Sequence, residues 1–361
     1  MPDWRPILDG SDATLGAKLT RGVLGALEPA YRGVVRLRNR SFDRGWRRAV
    51  GLGRPTISVG NLTTGGTGKT PMVIDLAHRL TARGVRPAVL LRGYHADAAG
   101  SDEAMLLREA LGDAVPVEPD ADRAAAAARV LAAAPDVGVF LLDDAFQHRA
   151  VRRDIDLVLL DAARPFGNGH VLPRGFLREP AAGLARATAV VVTHADLARP
   201  ESLDHLDQRV TRLTGRPPLA RTAHAWSALR DQHGRELPLA ALASLAVLGV
   251  SGLGDPVSFE LALQRHAARV ERIVRFSDHH HYTQQQLALL LQPDARQAID
   301  AIVTTEKDWV KWAPMLRGAP MPVPVYRPTL ALRYLAGEEA VDTLLARLTE
   351  GTEARRHEGT K

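Results

Sequence analysis

The segment 56–70 constrains the fold of this chain more than any other part of the sequence. A short β-branched run at 56–59 leads into a glycine-rich turn, a Lys-Thr pair and a periodic apolar stretch that predicts a helix over 69–83. Glycines allow backbone N–H groups to turn inward around an anion, and a helix N-terminus adds favourable partial positive charge. The segment therefore predicts a phosphate-binding loop between a strand and a helix.

Each residue type in this loop has an expected task. The backbone of Gly65, Gly66, Thr67 and Gly68 would cradle phosphate oxygens, Lys69 would reach the β- and γ-phosphates, and the Thr70 hydroxyl would bind Mg²⁺. The strict Walker pattern has glycine where Thr63 stands, so the motif is a variant. A glycine-rich turn unrelated to nucleotides is the alternative. It does not account for a Lys-Thr pair in a chain with 5 lysines and 42 arginines.

Two acidic residues follow a second apolar run. Asp143 and Asp144 come directly after 139–142, which reads as a buried strand. A carboxylate at such a strand end can hold Mg²⁺ directly or through water, although an acidic turn after a strand is also common. With the loop upstream, the pair predicts a site for Mg·ATP or Mg·GTP, but it does not identify the group that receives the phosphate.

The rest of the chain alternates between β-branched runs and helical stretches, which is typical of an α/β protein with a parallel sheet. We expect a P-loop NTPase-like domain over 55–215, a smaller α/β domain over 219–349 and a frayed tail over 350–361. The expected strands are 56–59, 88–91, 137–142, 157–161, 189–193, 245–250, 273–276 and 301–304. The expected helices are 69–83, 102–111, 121–133, 201–213, 256–266, 283–291 and 338–348.

Composition excludes several classes. A length of 361 residues with 45% apolar and 24% charged residues is that of a globular chain with about two domains, not of a disordered protein. The absence of cysteine excludes disulfides, iron–sulfur clusters, thiolate zinc sites and cysteine nucleophiles. The sequence contains no run of 18 uninterrupted apolar residues, so we expect no transmembrane helix. Residues 1–11 do not resemble a signal peptide.

The net positive charge of the chain is confined to the N-terminal segment 1–54. This segment holds 11 Lys/Arg and 5 Asp/Glu, whereas the remainder holds 36 of each, so a uniformly basic nucleic-acid binder is not expected. Apolar residues recur at helical spacing, namely Leu15, Leu19, Val23, Leu27, Tyr31 and Val34/Val35. Pro29 is expected to kink or split this helix. The stripe predicts either a helix on an anionic bilayer surface or one packed on the protein's own core.

Several further motifs occur in the order seen in one enzyme family. The chain resembles the tetraacyldisaccharide 4'-kinases over about residues 30–330. These are lipid A pathway enzymes that phosphorylate a lipid disaccharide on the cytoplasmic face of the inner membrane. The motifs are SVGNL at 58–62, GGTGKTP at 65–71, RGY at 92–94, DE at 102–103, DDAFQH at 143–148, GNG at 167–169, LP at 172–173, LREP at 177–180, DHH at 278–280 and TTEKD at 304–308. Ala145, His95 and Asp255 stand where the family pattern usually has Gly, Gly and Asn.

The resemblance implies roles that fit phosphoryl transfer. Asp102 matches the family's acid that orients or deprotonates the sugar hydroxyl, and His279 matches its histidine partner. Glu103 is a candidate for metal or water positioning, while Lys69 and Arg178 would stabilise the γ-phosphoryl group together with Mg²⁺. Further residues expected to contact the substrate are Asn61, Gln147, His148, Asn168 and Asp278.

Simpler interpretations exist for most of these residues. Acids at 102–103 open a predicted helix, where the helix dipole favours them in any case. The three histidines at 279–281 could bind a metal, although adjacent loop residues point in different directions. His148 could be structural, Arg178 and Glu179 could pair with each other, and Lys307 could bridge two neighbouring acids.

The implied acceptor carries acyl chains, so the resemblance favours membrane contact by segment 1–54 and a peripheral location on the inner face of the cell membrane. The expected partners are the lipid disaccharide and an anionic membrane surface, with no nucleic acid and no obligate protein partner. The alternative function is that of a membrane-associated partitioning or positioning ATPase. Those proteins usually carry a lysine before the paired glycines, where this chain has Thr64.

Overall fold

The computed structural model describes residues 4–93, 102–253, 256–277, 280–292, 299–318 and 321–358, the side chains of 102 and 349–358 excepted. The helices are α1 Arg5–Asp9, α2 Leu15–Asp43, α3 Lys69–Ala82, α4 Asp102–Leu111, α5 Arg123–Ala133, α6 Pro200–Thr214, α7 Val257–His266, α8 Gln284–Leu291, α9 Glu306–Trp312 and α10 Glu338–Glu358. The strands are β1 Thr56–Asn61, β2 Pro87–Leu91, β3 Val117–Pro119, β4 Val139–Asp143, β5 Ile155–Asp161, β6 Ala189–Thr193, β7 Ala220–Arg230, β8 Glu236–Leu237, β9 Ala246–Ser251, β10 Arg269–Arg275, β11 Ala301–Thr304 and β12 Val325–Ala336.

The chain forms two compact units. The first comprises residues 1–223 and 332–361, and the second comprises residues 224–331. These bounds differ from the sequence-based domains 55–215 and 219–349 because the C-terminal helix α10 belongs to the first unit. Its residues Val341 and Leu345 are buried in the core that also holds the apolar face of α3.

The first unit is built on a parallel sheet with the strand order β7-β6-β5-β1-β4-β2-β3. All residues of β1, β2 and β4 are buried, as expected when helices cover both faces of a parallel sheet. Since the carboxyl ends of parallel strands meet at one edge, the loop after β1 and the acids at the end of β4 are neighbours. The predicted fold class, a P-loop NTPase-like parallel sheet, is confirmed.

The second unit contains the parallel strands β10-β9-β11-β12, and β8 pairs antiparallel with β7. Its core is built around Trp312, Leu287 and Val325. The long strands β7 and β12 were not predicted because their sequences are not bounded β-branched runs. Strand propensity is weak where pairing and burial decide the conformation.

Helix α2 differs from its prediction in one respect. It runs unbroken through Pro29, so the expected split is wrong. Leu15, Leu19, Val23, Leu27 and Val34 of the apolar stripe are exposed, whereas Val35 is buried and Tyr31 packs against the first unit's core. The N-terminal part of the stripe therefore faces away from the core, and Tyr31 and Val35 near its C-terminal end pack on it. Within the described residues, no helix is long and apolar enough to cross a bilayer.

Candidate active site

The phosphate loop follows β1 at the carboxyl edge of the first unit's sheet. Gly65 and Gly68 have φ angles of 117° and 78°, which L side chains rarely adopt, and α3 begins immediately afterwards at Lys69. The loop is fixed from two sides. Thr193 donates a hydrogen bond from Oγ1 to the Thr67 carbonyl at 3.1 Å, and Thr64 N donates to the Phe176 carbonyl at 2.8 Å. The loop therefore has the backbone shape and the helix N-terminus that phosphate binding requires.

Gly60 in β1 is required because the turn after β4 approaches it closely. A Cβ atom on Gly60 would lie 2.7 Å from the backbone nitrogen of Phe146, in the turn that follows β4. Only glycine allows β1 to approach that turn so closely. Ala145, which departs from the usual glycine of the family pattern, is fully buried in the adjoining apolar cluster.

Two cations converge on Asp144. Arg178 Nη1 lies 2.7 Å from both carboxylate oxygens, and Lys69 Nζ lies 3.6 Å from Oδ1. Although burial opposes ionisation, the charges of Lys69 and Arg178 hold the pKa of Asp144 below its usual value. The ionised carboxylate therefore holds both side chains beside the loop, where they can meet the γ-phosphoryl group.

Asp143 is the last residue of β4 and is almost completely buried. Burial, reinforced by the charges of Glu103 and Asp144, raises its pKa to about 7 although Lys69 opposes the shift. Within the described part of the chain, no hydrogen-bond donor reaches its Oδ1. A buried carboxylate oxygen without a donor is suited to a hard cation, which prefers oxygen ligands.

The site beside the phosphate loop could hold Mg²⁺ with only one or two protein ligands. Over the described ranges no cluster of three His, Cys, Asp or Glu side chains could hold a metal alone. Mg²⁺ usually takes one or two protein oxygens and completes its shell with phosphate and water. Asp143 and the Thr70 hydroxyl, which follows Lys69 in the first turn of α3, are the residues that would hold it. Glu103 on α4 lies within electrostatic range of Asp143.

Sequence reasoning missed Arg123. This residue opens α5, is 1% exposed and donates from Nη2 to the Asp143 carbonyl at 2.8 Å. Its charge also helps to lower the pKa of Asp144. The sequence carried no signal for this role because Arg123 is one of 42 arginines and lies 20 residues before its partner.

His148 lies close to the same arginine. Burial lowers its pKa to about 4, and the charges of Arg123, Arg153 and Arg92 act in the same direction. The imidazole is therefore neutral at neutral pH, when it can donate one hydrogen bond and accept another. Its predicted contact with substrate stays a prediction.

The other predicted contact residues are distributed as follows. Asn61 ends β1 and is fully buried, and its carbonyl accepts a hydrogen bond from Gln147 Nε2 at 2.9 Å. Asn168 bonds to the backbone of α1, with Nδ2 2.8 Å from the Leu8 carbonyl. Asp278 and His279 lie outside the described residues, as does the side chain of Asp102. Their roles stay predictions.

Arg178 and Glu179 do not pair with each other. Arg178 binds Asp144, whereas Glu179 is bonded to Arg186 Nη2 at 2.9 and 2.8 Å. Glu306 and Asp308 likewise have partners of their own, namely Arg327 at 3.3 Å and the Tyr282 hydroxyl at 2.8 Å. The simple ion pair between 178 and 179 is therefore wrong.

A phosphate loop after a central parallel strand, with acids at the end of the adjacent strand, defines the class of P-loop nucleotide-binding proteins. A family model described as Tetraacyldisaccharide-1-P 4'-kinase matches residues 21–349. The chain belongs to this family, and it is a kinase.

Individual relatives agree with this assignment. The tetraacyldisaccharide 4'-kinase of Anaeromyxobacter dehalogenans (strain 2CP-C) is 41% identical over 325 residues, which cover 82% of this chain and 85% of the relative. That of Geobacter sulfurreducens is 36% identical over 363 residues, 95% and 98% of the two chains. A crystal structure of LpxK from Aquifex aeolicus in complex with ATP superposes with a TM-score of 0.73 at 28% identity. It covers 91% of this chain and 99% of that one.

Proposed function

We propose that this kinase transfers the γ-phosphoryl group of Mg·ATP to the 4'-hydroxyl of a tetraacyldisaccharide 1-phosphate at the cytoplasmic surface of the membrane. One structural observation supports the proposed phosphoryl transfer most directly. Lys69 and Arg178 meet on Asp144 beside the phosphate loop, next to the donor-free oxygen of Asp143. The 41% and 36% identical relatives, both named tetraacyldisaccharide 4'-kinases, support the choice of acceptor.

The transfer requires one bond to form and one to break. The 4'-oxygen attacks the γ-phosphorus, the bond to the β,γ-bridging oxygen breaks, and ADP leaves. The hydroxyl proton passes to a base, for which the family resemblance indicates Asp102. Lys69 and Arg178 place positive charge beside the transferring group, where negative charge develops. Asp143 and Thr70 would hold Mg²⁺, which would supply neutralisation of phosphate charge.

Asp102→Ala and His279→Ala are each expected to lower turnover about a hundred-fold, the usual contribution of a positioned acid or base. The fold and ATP binding should persist because neither residue belongs to the phosphate loop. Steady-state turnover with labelled ATP, together with the ATP dissociation constant, measures both effects. Wild-type turnover in either variant would refute the role of that residue.

The reaction itself is tested by incubating the purified chain with γ-labelled ATP, Mg²⁺ and tetraacyldisaccharide 1-phosphate in mixed micelles. A labelled lipid supports the proposed kinase. Release of labelled phosphate without labelled lipid would support the partitioning-type ATPase. A disaccharide that lacks the 4'-hydroxyl is the matched control, and it should accept no label.

The proposed membrane contact depends on the outer face of helix α2. Leu15, Leu19, Val23 and Leu27 are 52–74% exposed, and Trp46 beyond the helix is 66% exposed. Exposed arginines accompany this face at positions 32, 36, 40, 44, 47 and 48. An apolar face with adjacent basic residues is typical of a helix that lies in an anionic bilayer surface.

The double substitution Leu19→Asp with Val23→Asp is expected to weaken binding to phosphatidylglycerol-containing vesicles by at least about a hundred-fold. Each lost aliphatic contact is worth about 1.5–3 kcal/mol, and each new carboxylate is repelled by the lipid. Vesicle sedimentation measures the effect, and Leu261→Asp on the exposed face of α7 is the matched control. Equal weakening by the control, or none by the double variant, would contradict this contact.

A further inference from the structure

Glu179 is a completely buried carboxylate at the end of the loop that carries Arg178. Three side chains donate to it: Arg186 Nη2 at 2.8 and 2.9 Å, Gln147 Nε2 at 3.0 Å and Asn39 Nδ2 at 3.1 Å. A buried charge is stable only when it is paired and hydrogen-bonded, so this arrangement is expected to be rigid. Because Glu179 is 0% exposed, it cannot contact substrate.

Asn39 brings helix α2 into this arrangement. It lies one helical turn before the C-terminus of α2, and Arg149 Nη1 donates to its carbonyl at 2.9 Å. Nearer the middle of the helix, the Tyr31 hydroxyl donates to the Arg178 carbonyl at 3.0 Å. The inner face of α2 is thus bonded directly to residues 178 and 179, while its outer face is apolar and exposed.

The same carboxylate also reaches the phosphate loop. The Gln147 amide that donates to Glu179 donates in addition to the Asn61 carbonyl, at the end of β1. Arg178 N donates to the Leu62 carbonyl at 2.8 Å. A continuous series of hydrogen bonds therefore joins α2 to the strand end from which the phosphate loop starts and to the arginine that binds Asp144.

We propose that Asn39 and Glu179 are positioning residues through which the membrane-facing helix α2 holds Arg178 and the start of the phosphate loop in the geometry of phosphoryl transfer. This inference rests on the proposed function. Loss of the Asn39 amide leaves one acceptor site of a buried carboxylate without its donor. Segment 177–180 is then free to shift, and Arg178 loses its alignment with the transferring group.

Asn39→Ala tests the proposal in the full chain, assayed on anionic vesicles that contain the lipid disaccharide. We expect kcat to fall about ten-fold, the usual effect of one lost hydrogen bond to a buried charge. The KM for ATP and the affinity for the vesicles should stay as in the wild type, because Gln147 still donates to the Asn61 carbonyl at the start of the loop and the outer face of α2 is unchanged. Gln208→Ala, an amide truncation on the exposed face of α6, is the matched control and should be neutral.

A reversed pair provides the rescue. In the double variant Asn39→Asp with Glu179→Gln, the glutamine amide donates to the aspartate. The hydrogen bond between positions 39 and 179 and one negative charge are kept, while Arg186 keeps the remaining oxygen of residue 179 as its acceptor. Recovery of most of the kcat lost in Asn39→Asp, where two carboxylates face each other, supports the positioning role. Wild-type kcat in Asn39→Ala, or a lowered melting temperature with unchanged kcat, would overturn it. If the wild-type chain phosphorylates no lipid, the proposed function itself fails.

Discussion

Lys69→Ala is expected to lower kcat about a thousand-fold, because it removes the positive charge that the loop presents to the β- and γ-phosphates. Loss of one preorganised charge or donor at a transition state costs about 10²–10³ in turnover, and phosphoryl transfer depends almost entirely on such neutralisation. The ammonium also stands 3.6 Å from Asp144. Its loss therefore leaves Arg178 alone to hold that carboxylate.

Lys69→Met separates charge from bulk, since methionine keeps most of the aliphatic stem. Turnover should fall as far in Lys69→Met as in Lys69→Ala, whereas a packing role would spare the methionine variant. Arg212→Met, which removes a cation from the exposed face of α6, is the control and should be neutral. Turnover within ten-fold of wild type in Lys69→Ala would contradict the assignment of the phosphate loop.

Asp143→Asn is expected to lower kcat by a comparable factor, about a thousand-fold. The amide has nearly the shape of the carboxyl group but no charge with which to hold Mg²⁺. Activity titrated against Mg²⁺ should require more metal than in the wild type, and kcat should stay low at saturating Mg²⁺ if Asp143 also positions the ion for the transfer step. Asp113→Asn, an exposed acid beyond α4, is the matched control. Full recovery of kcat in excess Mg²⁺ would mean that Asp143 contributes to metal affinity only.

The same substitution should change how stability depends on pH in the absence of metal. The pKa of Asp143 is about 7 in the folded chain and 3.8 as the ordinary value. Between these values the native state binds the extra proton, so the free energy of unfolding falls as pH rises from about 4 to about 7 and is flat above. The loss amounts to roughly 4 kcal/mol from this group.

Urea unfolding without Mg²⁺ at pH 5 and pH 8 measures this effect. The wild type should be less stable at pH 8, and Asp143→Asn should lose most of that difference because it carries no titrating group at the position. If Asp143 is a metal ligand, the wild-type protein should gain stability when Mg²⁺ and nucleotide are added, because both bind the native state. Identical pH dependence in the two proteins would show that Asp143 does not titrate in this range.

Most of the correctly predicted elements were identified from patterns among neighbouring residues in the sequence. The phosphate loop, the helix that follows it and the acids after β4 were all found from neighbouring residues, and helix α4 has the predicted bounds of 102–111. Strands β7 and β12 were missed because pairing partners, not residue type, make them strands. Pro29 was misjudged because a proline lowers helix propensity locally, whereas α2 is held along its length by contacts with distant loops.

The amino-acid sequence by itself determined the local elements of this kinase, since glycine positions, strand ends and helix starts depend on interactions within a few residues. Only the tertiary structure decided which distant side chains meet: Arg178 on Asp144 across 34 residues, Arg123 behind Asp143, and Asn39 on Glu179 across 140 residues. It also decided that Leu15, Leu19, Val23 and Leu27 of the apolar stripe of α2 face outward, whereas Tyr31 and Val35 face the core. Helical periodicity shows that a stripe exists, but burial against the rest of the chain determines which face of the helix the core takes.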